Sequence, residues 1–297
     1  MSSKGIVLAG GLGSRLGLLS QVVGKQLLPV YDKPMIYYPI ATLMAAGVRH
    51  ICIVTNSEEE HIFRKILGDG SQLGMRFEYV KQPSPDGLPQ AFVLCEKFIG
   101  DDDPCLILGD NLFVGAGLGR NLRKVESRGA HIFLYQVESP EKYGNVGFSK
   151  EGAINEIAEK PTKPLSRFAI PGLYFFDNSV IQRAKSLQKS SRGEFEIVDL
   201  LKQYLAEESL GYTPLSRGTV WLDTGTPEDL FLASEYVRII QKRQGTFVAC
   251  LEEIALRNNW IDTSDIQEMS IFHGKSAYSQ YLRNIVEYGI PMEPKFL

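Results

Sequence analysis

Gly10, Gly11, Gly13, Ser14 and Arg15 follow directly on the apolar run Gly5-Ile6-Val7-Leu8-Ala9. Glycines let a backbone approach a ligand closely, so several N–H groups can converge on one cluster of anionic oxygens. Arg15 adds a planar fork that grips phosphate at two points. Lys25, in Lys25-Gln26-Leu27-Leu28-Pro29, supplies a second cation as a point charge. Two familiar phosphate loops are excluded by spacing. Leu16 stands where a dinucleotide fingerprint needs its third glycine, and Gln26 stands where a P-loop needs Ser or Thr after its lysine. This is an anion-binding strand–loop of a third kind.

Carboxylates mark other places where chemistry can occur. Asp110 closes the run Cys105-Leu106-Ile107-Leu108 after Gly109, and Asp223 follows Trp221-Leu222 before Thr224-Gly225. Each suits a turn cap, and two such groups together suit Mg²⁺, which prefers hard oxygen ligands. In Glu159-Lys160-Pro161 the lysine fits a sugar phosphate and the carboxylate fits sugar hydroxyls, although an exposed ion-pair turn has the same composition. Arg192-Gly193-Glu194 reads locally as a helix N-terminal turn. Glu58-Glu59-Glu60 also suits a helix N-terminus, where negative charge meets the dipole, and Asp101-Asp102-Asp103 a surface loop. Both acidic runs read as solvated. The four cysteines have no C-x-x-C pairing and sit in apolar stretches, which predicts buried free thiols, and the four histidines lack metal-ligand spacing.

The chain of 297 residues is 44% hydrophobic and 23% charged, an ordinary balance for a globular protein. Its net charge of −3 argues against a nucleic-acid partner. Apolar runs fall short of the ~18–20 residues of a membrane span and the N-terminus lacks a secretory pattern, so a cytoplasmic location without a membrane partner is expected. Strands are predicted over 5–9, 50–55, 76–80, 104–108 and 131–137, alternating with helices over 34–46, 58–67, 88–98 and 118–127. That order implies an α/β, Rossmann-like, mostly parallel sheet flanked by helices, with ligands beyond the carboxyl ends of its strands. Gly10 to Arg15, Gln82 and Asp110 fall at such ends. The second half predicts a hairpin over 146–157, a strand over 168–176, a helix over 192–208 and a strand pair over 211–222. Helices follow over 228–244, 251–258, 264–272 and 277–288. The expected parse is a catalytic domain over 1–226, with a nucleotide-binding half (1–137) and a smaller β-containing sugar-binding half (138–226), followed by a helical part over 227–297.

Several strings occur in an order that resembles the sugar-1-phosphate nucleotidylyltransferases. They are Gly10 to Leu16, Lys25 to Pro39, Leu67 to Ser71, Gln82 to Leu88, Leu108 to Asn111, Glu159 to Pro161, Gly172 to Phe175, Arg192 to Glu194 and Trp221 to Thr226. Each is weak alone; their shared order spans most of the chain. The resemblance implies Mg²⁺-dependent transfer from dTTP to α-D-glucose 1-phosphate, giving dTDP-glucose for deoxysugar synthesis, by a homo-oligomer, a tetramer in the family's manner. It pairs Asp110 with Asp223 at the metal and makes Arg15, Lys25, Lys160 and Arg192 the catalytic cations. Gly10, Gly11, Gly13, Ser14, Arg15, Lys25, Gln26, Gln82, Gly87, Leu88 and Asp110 would bind the nucleotide, with Gln82 and Gly87 on the base edge and Leu88 on its face. Tyr143, Gly144, Glu159, Lys160, Tyr174, Arg192 and Trp221 would surround the sugar phosphate.

Use of UTP or of another hexose 1-phosphate is the rival activity, since one methyl is worth only ~1–3 kcal/mol of discrimination. A non-catalytic nucleotide-sugar-binding regulator is the rival of another class. Ser14, Leu18, Gly24 and Pro171 replace the usual Thr, Pro, Ser and Thr, and Val114-Gly115-Ala116-Gly117 differs from the usual segment near the family's regulatory site.

Overall fold

The computed structural model describes residues 4–11, 13–126, 128–272 and 274–291; the Ser14 side chain, assigned above to the nucleotide, lies outside what is described. In chain order the strands are β1 (Lys4–Leu8), β2 (Pro29–Val30), β3 (Lys33–Pro34), β4 (His50–Thr55), β5 (Arg76–Lys81), β6 (Pro104–Leu108) and β7 (Leu112–Val114). They continue with β8 (Ala130–Gln136), β9 (Gly144–Phe148), β10 (Ile154–Glu159), β11 (Phe168–Ala169), β12 (Leu173–Phe176), β13 (Leu210–Pro214) and β14 (Val220–Leu222). The helices are α1 (Leu19–Val22), α2 (Tyr37–Ala45), α3 (Glu60–Leu67), α4 (Gln90–Leu94), α5 (Glu96–Ile99) and α6 (Leu118–Leu122). After them come α7 (Val180–Ser186), α8 (Ile197–Ala206), α9 (Pro227–Gln244), α10 (Leu251–Arg257), α11 (Thr263–Phe272) and α12 (Ala277–Tyr288).

One ten-stranded sheet organises the chain, in the order β10-β9-β11-β8-β12-β6-β1-β4-β5, with β13 added beside β8. Its first half is parallel: β6, β1, β4 and β5 run together. β12 enters antiparallel between β6 and β8, so β8 and β13 again run with β1. The sheet is therefore mixed and mostly parallel. Side chains alternate between its faces as strand geometry requires. Val7, Ile51, Ile53, Cys105 and Ile107 enter one core with α2 and α10, whereas Ile6, Cys52, Val54 and Leu106 enter the other with α4, α7 and α8. All four cysteines are buried and free.

The sequence pattern misplaces several elements. The strand expected over 168–176 is two strands, because Pro171 and Gly172 interrupt the ladder between β11 and β12. The helix over 88–98 is split into α4 and α5 at Cys95, whose backbone leaves the helical region at φ −92°, ψ 12°. The helix over 192–208 begins only at Ile197; Arg192 lies in a turn closed by Gly193 at φ +79°. β13 and β14 do not pair with each other. β13 pairs with β8, and β14 lies antiparallel to β7 with Leu222 opposite Leu112. That last pairing matters most, because β7 starts just after Asp110 and β14 ends just before Asp223.

The C-terminal helices pack onto this frame. Thr226 and Asp229 form a reciprocal capping box at the start of α9, with Pro227 as its first residue and Gly245 as its left-handed stop. Ala233 and Val237 of α9 bury against Val30, Met35, Tyr38 and Leu112. Among the described residues no helix is long and apolar enough to cross a membrane.

Candidate active site

Three close approaches build the site from the strand ends. The Gly109 N–H donates to the Leu8 carbonyl at 2.9 Å, and a methyl on Gly109 would lie 2.8 Å from that same oxygen. Glycine here lets the end of β6 close on the end of β1, which brings Asp110 to the glycine loop. The β7–β14 pairing then delivers Asp223. Thr224 locks the junction: its hydroxyl donates to the Asp110 carbonyl at 2.8 Å, and its backbone sits at φ +40°. Positive φ in a β-branched residue is strained and persists where the surroundings over-determine it, a habit of functional sites. Lys160, at φ +44°, is a second such residue.

Around these carboxylates the cations gather. Lys25 is buried, and its Nζ reaches Asp110 Oδ2 at 2.6 Å and the Asp223 carbonyl at 3.3 Å. The Arg15 guanidinium lies over Gly225, where a methyl would stand 3.2 Å from Nη2. Gly11, Gly13, Arg15, Lys25, Gln26, Asp110 and Gly225 line a cavity of about 180 Å³. Gln26 is buried with its Oε1 unpartnered. Asp223 has its carboxyl held above the ordinary aspartate range, first by burial and then by the charges of Asp110 and Asp229, with Lys25 and Arg15 pulling the other way. A buried carboxylate crowded by a second one, both with hard oxygen donors, suits a divalent cation such as Mg²⁺.

Asn111 is the hub that the sequence reading passed over. Its Nδ2 donates to Asp110 Oδ1 at 2.8 Å, while its Oδ1 accepts from Trp221 Nε1 at 2.6 Å and from the Gly172 N–H at 3.1 Å. One buried amide thus joins β6, β12 and β14 and orients the carboxylate. The Asp-Asn dipeptide after a buried strand was the available signal; its partners were not.

The residues expected at the base follow the end of β5. A methyl on Gly10 would lie 3.2 Å from Gln82 Cδ, so glycine there admits the Gln82 amide. Gln82 Nε2 donates to Gln90 Oε1 at 2.7 Å. Gly87, at φ +110°, sits against the backbone of Phe195, and Leu88 packs beside the α4–α8 core.

Among the residues expected at the sugar phosphate, Glu159 faces Gly144 across the β9–β10 ladder. Lys160 Nζ lies 3.3 Å from Glu159, and Arg192 lies 3.6 Å from Glu159 and 3.5 Å from Glu196. The structure brings Glu159, Lys160, Arg192 and Gly144 together. The aromatics divide. Tyr174 is in the core, stacked on Phe176, with burial and then Glu159 raising its hydroxyl pKa. Tyr143 and Trp221, 5.0 Å apart, pack with the other core. They line a cavity of about 150 Å³ with Tyr135, Val137, Leu222, Asp223, Asp229 and Leu232. Burial, and next Asp223, pushes the Tyr143 hydroxyl up to about 12.

Residues 4–238 match the family model described as nucleotidyl transferase. A glucose-1-phosphate thymidylyltransferase of Neisseria meningitidis serogroup A is 48% identical over 286 residues, 96% of this chain and 99% of the relative. One from Mycobacterium tuberculosis is 47% identical, over 96% of this chain and 99% of its own length. A solved Bacillus anthracis structure, assigned to the same activity and determined with sucrose, superposes at TM-score 0.73 with 38% identity, covering 79% of this chain and 95% of that one. A UDP-glucose pyrophosphorylase bound to UDP-glucose shares the fold at TM-score 0.70 and 23% identity, over 81% of this chain and 100% of its own. With the glycine loop, the paired carboxylates and these full-length relatives in agreement, the chain belongs to the nucleotidyl transferase family, among its glucose-1-phosphate thymidylyltransferases.

Proposed function

We propose that this enzyme transfers the thymidylyl group of dTTP to α-D-glucose 1-phosphate, releasing pyrophosphate. The observation that carries the reading is the convergence of Arg15, Lys25 and Asp110 on one cavity at the ends of β1 and β6, with Asp223 close enough for its carboxyl to feel the charges of all three. The sugar phosphate is already anionic at neutral pH, so its oxygen attacks the α-phosphorus without a general base while the bond to the β-phosphate breaks. Catalysis is then positioning and charge neutralisation. Arg15 and the loop amides hold the β- and γ-phosphates that leave. Lys25, oriented by Asp110, offsets charge at the α-phosphate. Lys160 and Arg192 turn from Glu159 to the incoming phosphate, which leaves Glu159 for sugar hydroxyls. Asp110 and Asp223 would hold Mg²⁺, which supplies further charge neutralisation at the transferring phosphate. Gln82 and Gly87 read the base edge.

Residues 1–226 serve as the catalytic unit in this reading, and the exposed Phe231, Leu232 and Ile239 of α9 support self-association, with a tetramer as our proposal. The buried free thiols support a reducing, cytoplasmic setting. Steady-state kinetics tests the division of labour. Arg15→Lys keeps the charge but loses the fork, which is expected to raise KM for dTTP or lower its kcat/KM about ten- to a hundredfold. KM for glucose 1-phosphate should stay nearly unchanged, and Lys160→Met should show the reverse split. If both variants move the same constant, the two-ended cleft is wrong.

A further inference from the structure

We propose that Glu59 is a positioning residue for Lys25: its carboxylate clasps the end of the phosphate loop at Gly24. Of the acidic run before α3, Glu60 pairs with Arg64 at 2.7 Å and Glu58 is exposed, whereas Glu59 turns to the loop. The Gly24 N–H donates to Glu59 Oε1. Asn56 Nδ2 holds the other oxygen, Glu59 Oε2, at 2.6 Å. Asn56 Oδ1 in turn accepts from the N–H groups of Glu58 and Glu59 at 3.1 and 2.8 Å. The carboxylate is thus fixed to the corner that follows β4, the strand next to β1 in the sheet.

The clasp acts one residue before the cation. Gly24 leads into the turn Lys25–Leu27, where the Leu27 N–H donates to the Gly24 carbonyl at 2.9 Å, and Lys25 then reaches Asp110. The middle of the loop has little to hold it: Leu18 is 78% exposed and nothing lies within 4 Å of a methyl built on Gly17. Asp110 and the Asp223 carbonyl hold the Lys25 tip, and the loop's end holds its backbone.

Gly24 itself carries the strongest sign of this coupling. Its backbone, at φ −56°, ψ 147°, is open to any residue. A methyl on Gly24 would stand 2.6 Å from the Glu59 carboxyl carbon, so Glu59 would have to move to admit a side chain there. A side chain at position 24 and the clasp by Glu59 therefore compete for the same space.

The inference rests on Lys25 acting at the nucleotide, and wild-type turnover of dTTP is measured first to test that reading separately. Glu59→Ala, Glu59→Gln, Gly24→Ala and the double variant Glu59→Ala/Gly24→Ala are then compared by steady-state kinetics and thermal unfolding. Losing a hydrogen bond to a charged group should raise KM for dTTP about ten- to a hundredfold in Glu59→Ala. KM for glucose 1-phosphate should stay at the wild-type value. Glu59→Gln should be intermediate, because its amide can satisfy Gly24 or Asn56 but not both, and it serves should Glu59→Ala fail to fold. Gly24→Ala should impair dTTP use in the wild-type background and add nothing in the Glu59→Ala background, where the overlap is gone. Wild-type KM for dTTP in Glu59→Ala or Glu59→Gln, equal rises for both substrates, or multiplicative effects in the double variant would overturn the clasp.

Discussion

Asn111→Asp is the sharpest perturbation of the site, because it exchanges one nitrogen for one oxygen at the hub. The oxygen that accepts from Trp221 Nε1 and from Gly172 is kept. The donor to Asp110 Oδ1, at 2.8 Å, becomes a second negative oxygen. Two unit charges at that separation repel by about 6 kcal/mol at an effective dielectric of about 20. Relaxation and proton uptake relieve part of this, since like carboxylates in one site share a proton. If half survives, about 3 kcal/mol, the rate falls about a hundredfold.

The direction with pH follows. A shared proton restores a donor between the two carboxylates, so the deficit relative to wild type should be larger at pH 8 than at pH 6. Pyrophosphate release across that range measures it, with thermal unfolding alongside. Asn111→Ala is the contrast. It strands two buried donors at a residue 2% exposed, each costing about 1–3 kcal/mol, against a typical total stability of about 5–15 kcal/mol. Asn111→Ala should therefore destabilise the fold clearly, whereas Asn111→Asp should lose mainly activity. Wild-type kcat at pH 8 in Asn111→Asp, or wild-type stability in Asn111→Ala, would refute the hub.

Asp223→Asn should abolish most turnover yet leave the fold as stable as wild type or more so. The folded state holds the Asp223 proton more tightly than the unfolded chain, so the ionised carboxylate opposes folding at neutral pH and its removal relieves that strain. A clear drop in melting temperature would contradict this. For the same reason, the acid limb of the activity profile should fall at a higher pH than an ordinary aspartate allows, and a pH–rate profile flat down to the ordinary aspartate range would count against a role for its charge. Self-association through α9 predicts an oligomer in light scattering at micromolar concentration, and Phe231→Asp should weaken it; a monomeric wild type would remove this proposal.

The strands next to the phosphate loop were legible because each is a short apolar run punctuated by glycine or aspartate. His50–Thr55 and Pro104–Leu108 match their expected limits. The separation of β13 from β14 was not legible. Nothing local in Leu210–Leu222 says that one strand joins β8 while the other crosses to β7, because pairing is decided by partners far away in the chain. The site divides in the same way. Arg15 and Lys25 announce themselves through glycines and charge. Asn111 and Glu59 act through neighbours at β14, β12 and Gly24 that only the folded chain assembles. Glu59 was hidden further by the acidic run, which has the composition of a solvated helix start. Tyr143 and Trp221 illustrate the converse limit: the sequence groups them with Tyr174, but they line a cavity with Asp223 while Tyr174 packs in the other core.

The most direct measurement is pyrophosphate release across a matrix of dTTP, UTP, ATP and GTP against α-D-glucose 1-phosphate and other hexose 1-phosphates, with Mg²⁺ present. The fastest pair should be dTTP with glucose 1-phosphate, with dTDP-glucose as the product and slower turnover with UTP. Turnover confined to ATP or GTP, or none with any pair, would contradict the proposed activity.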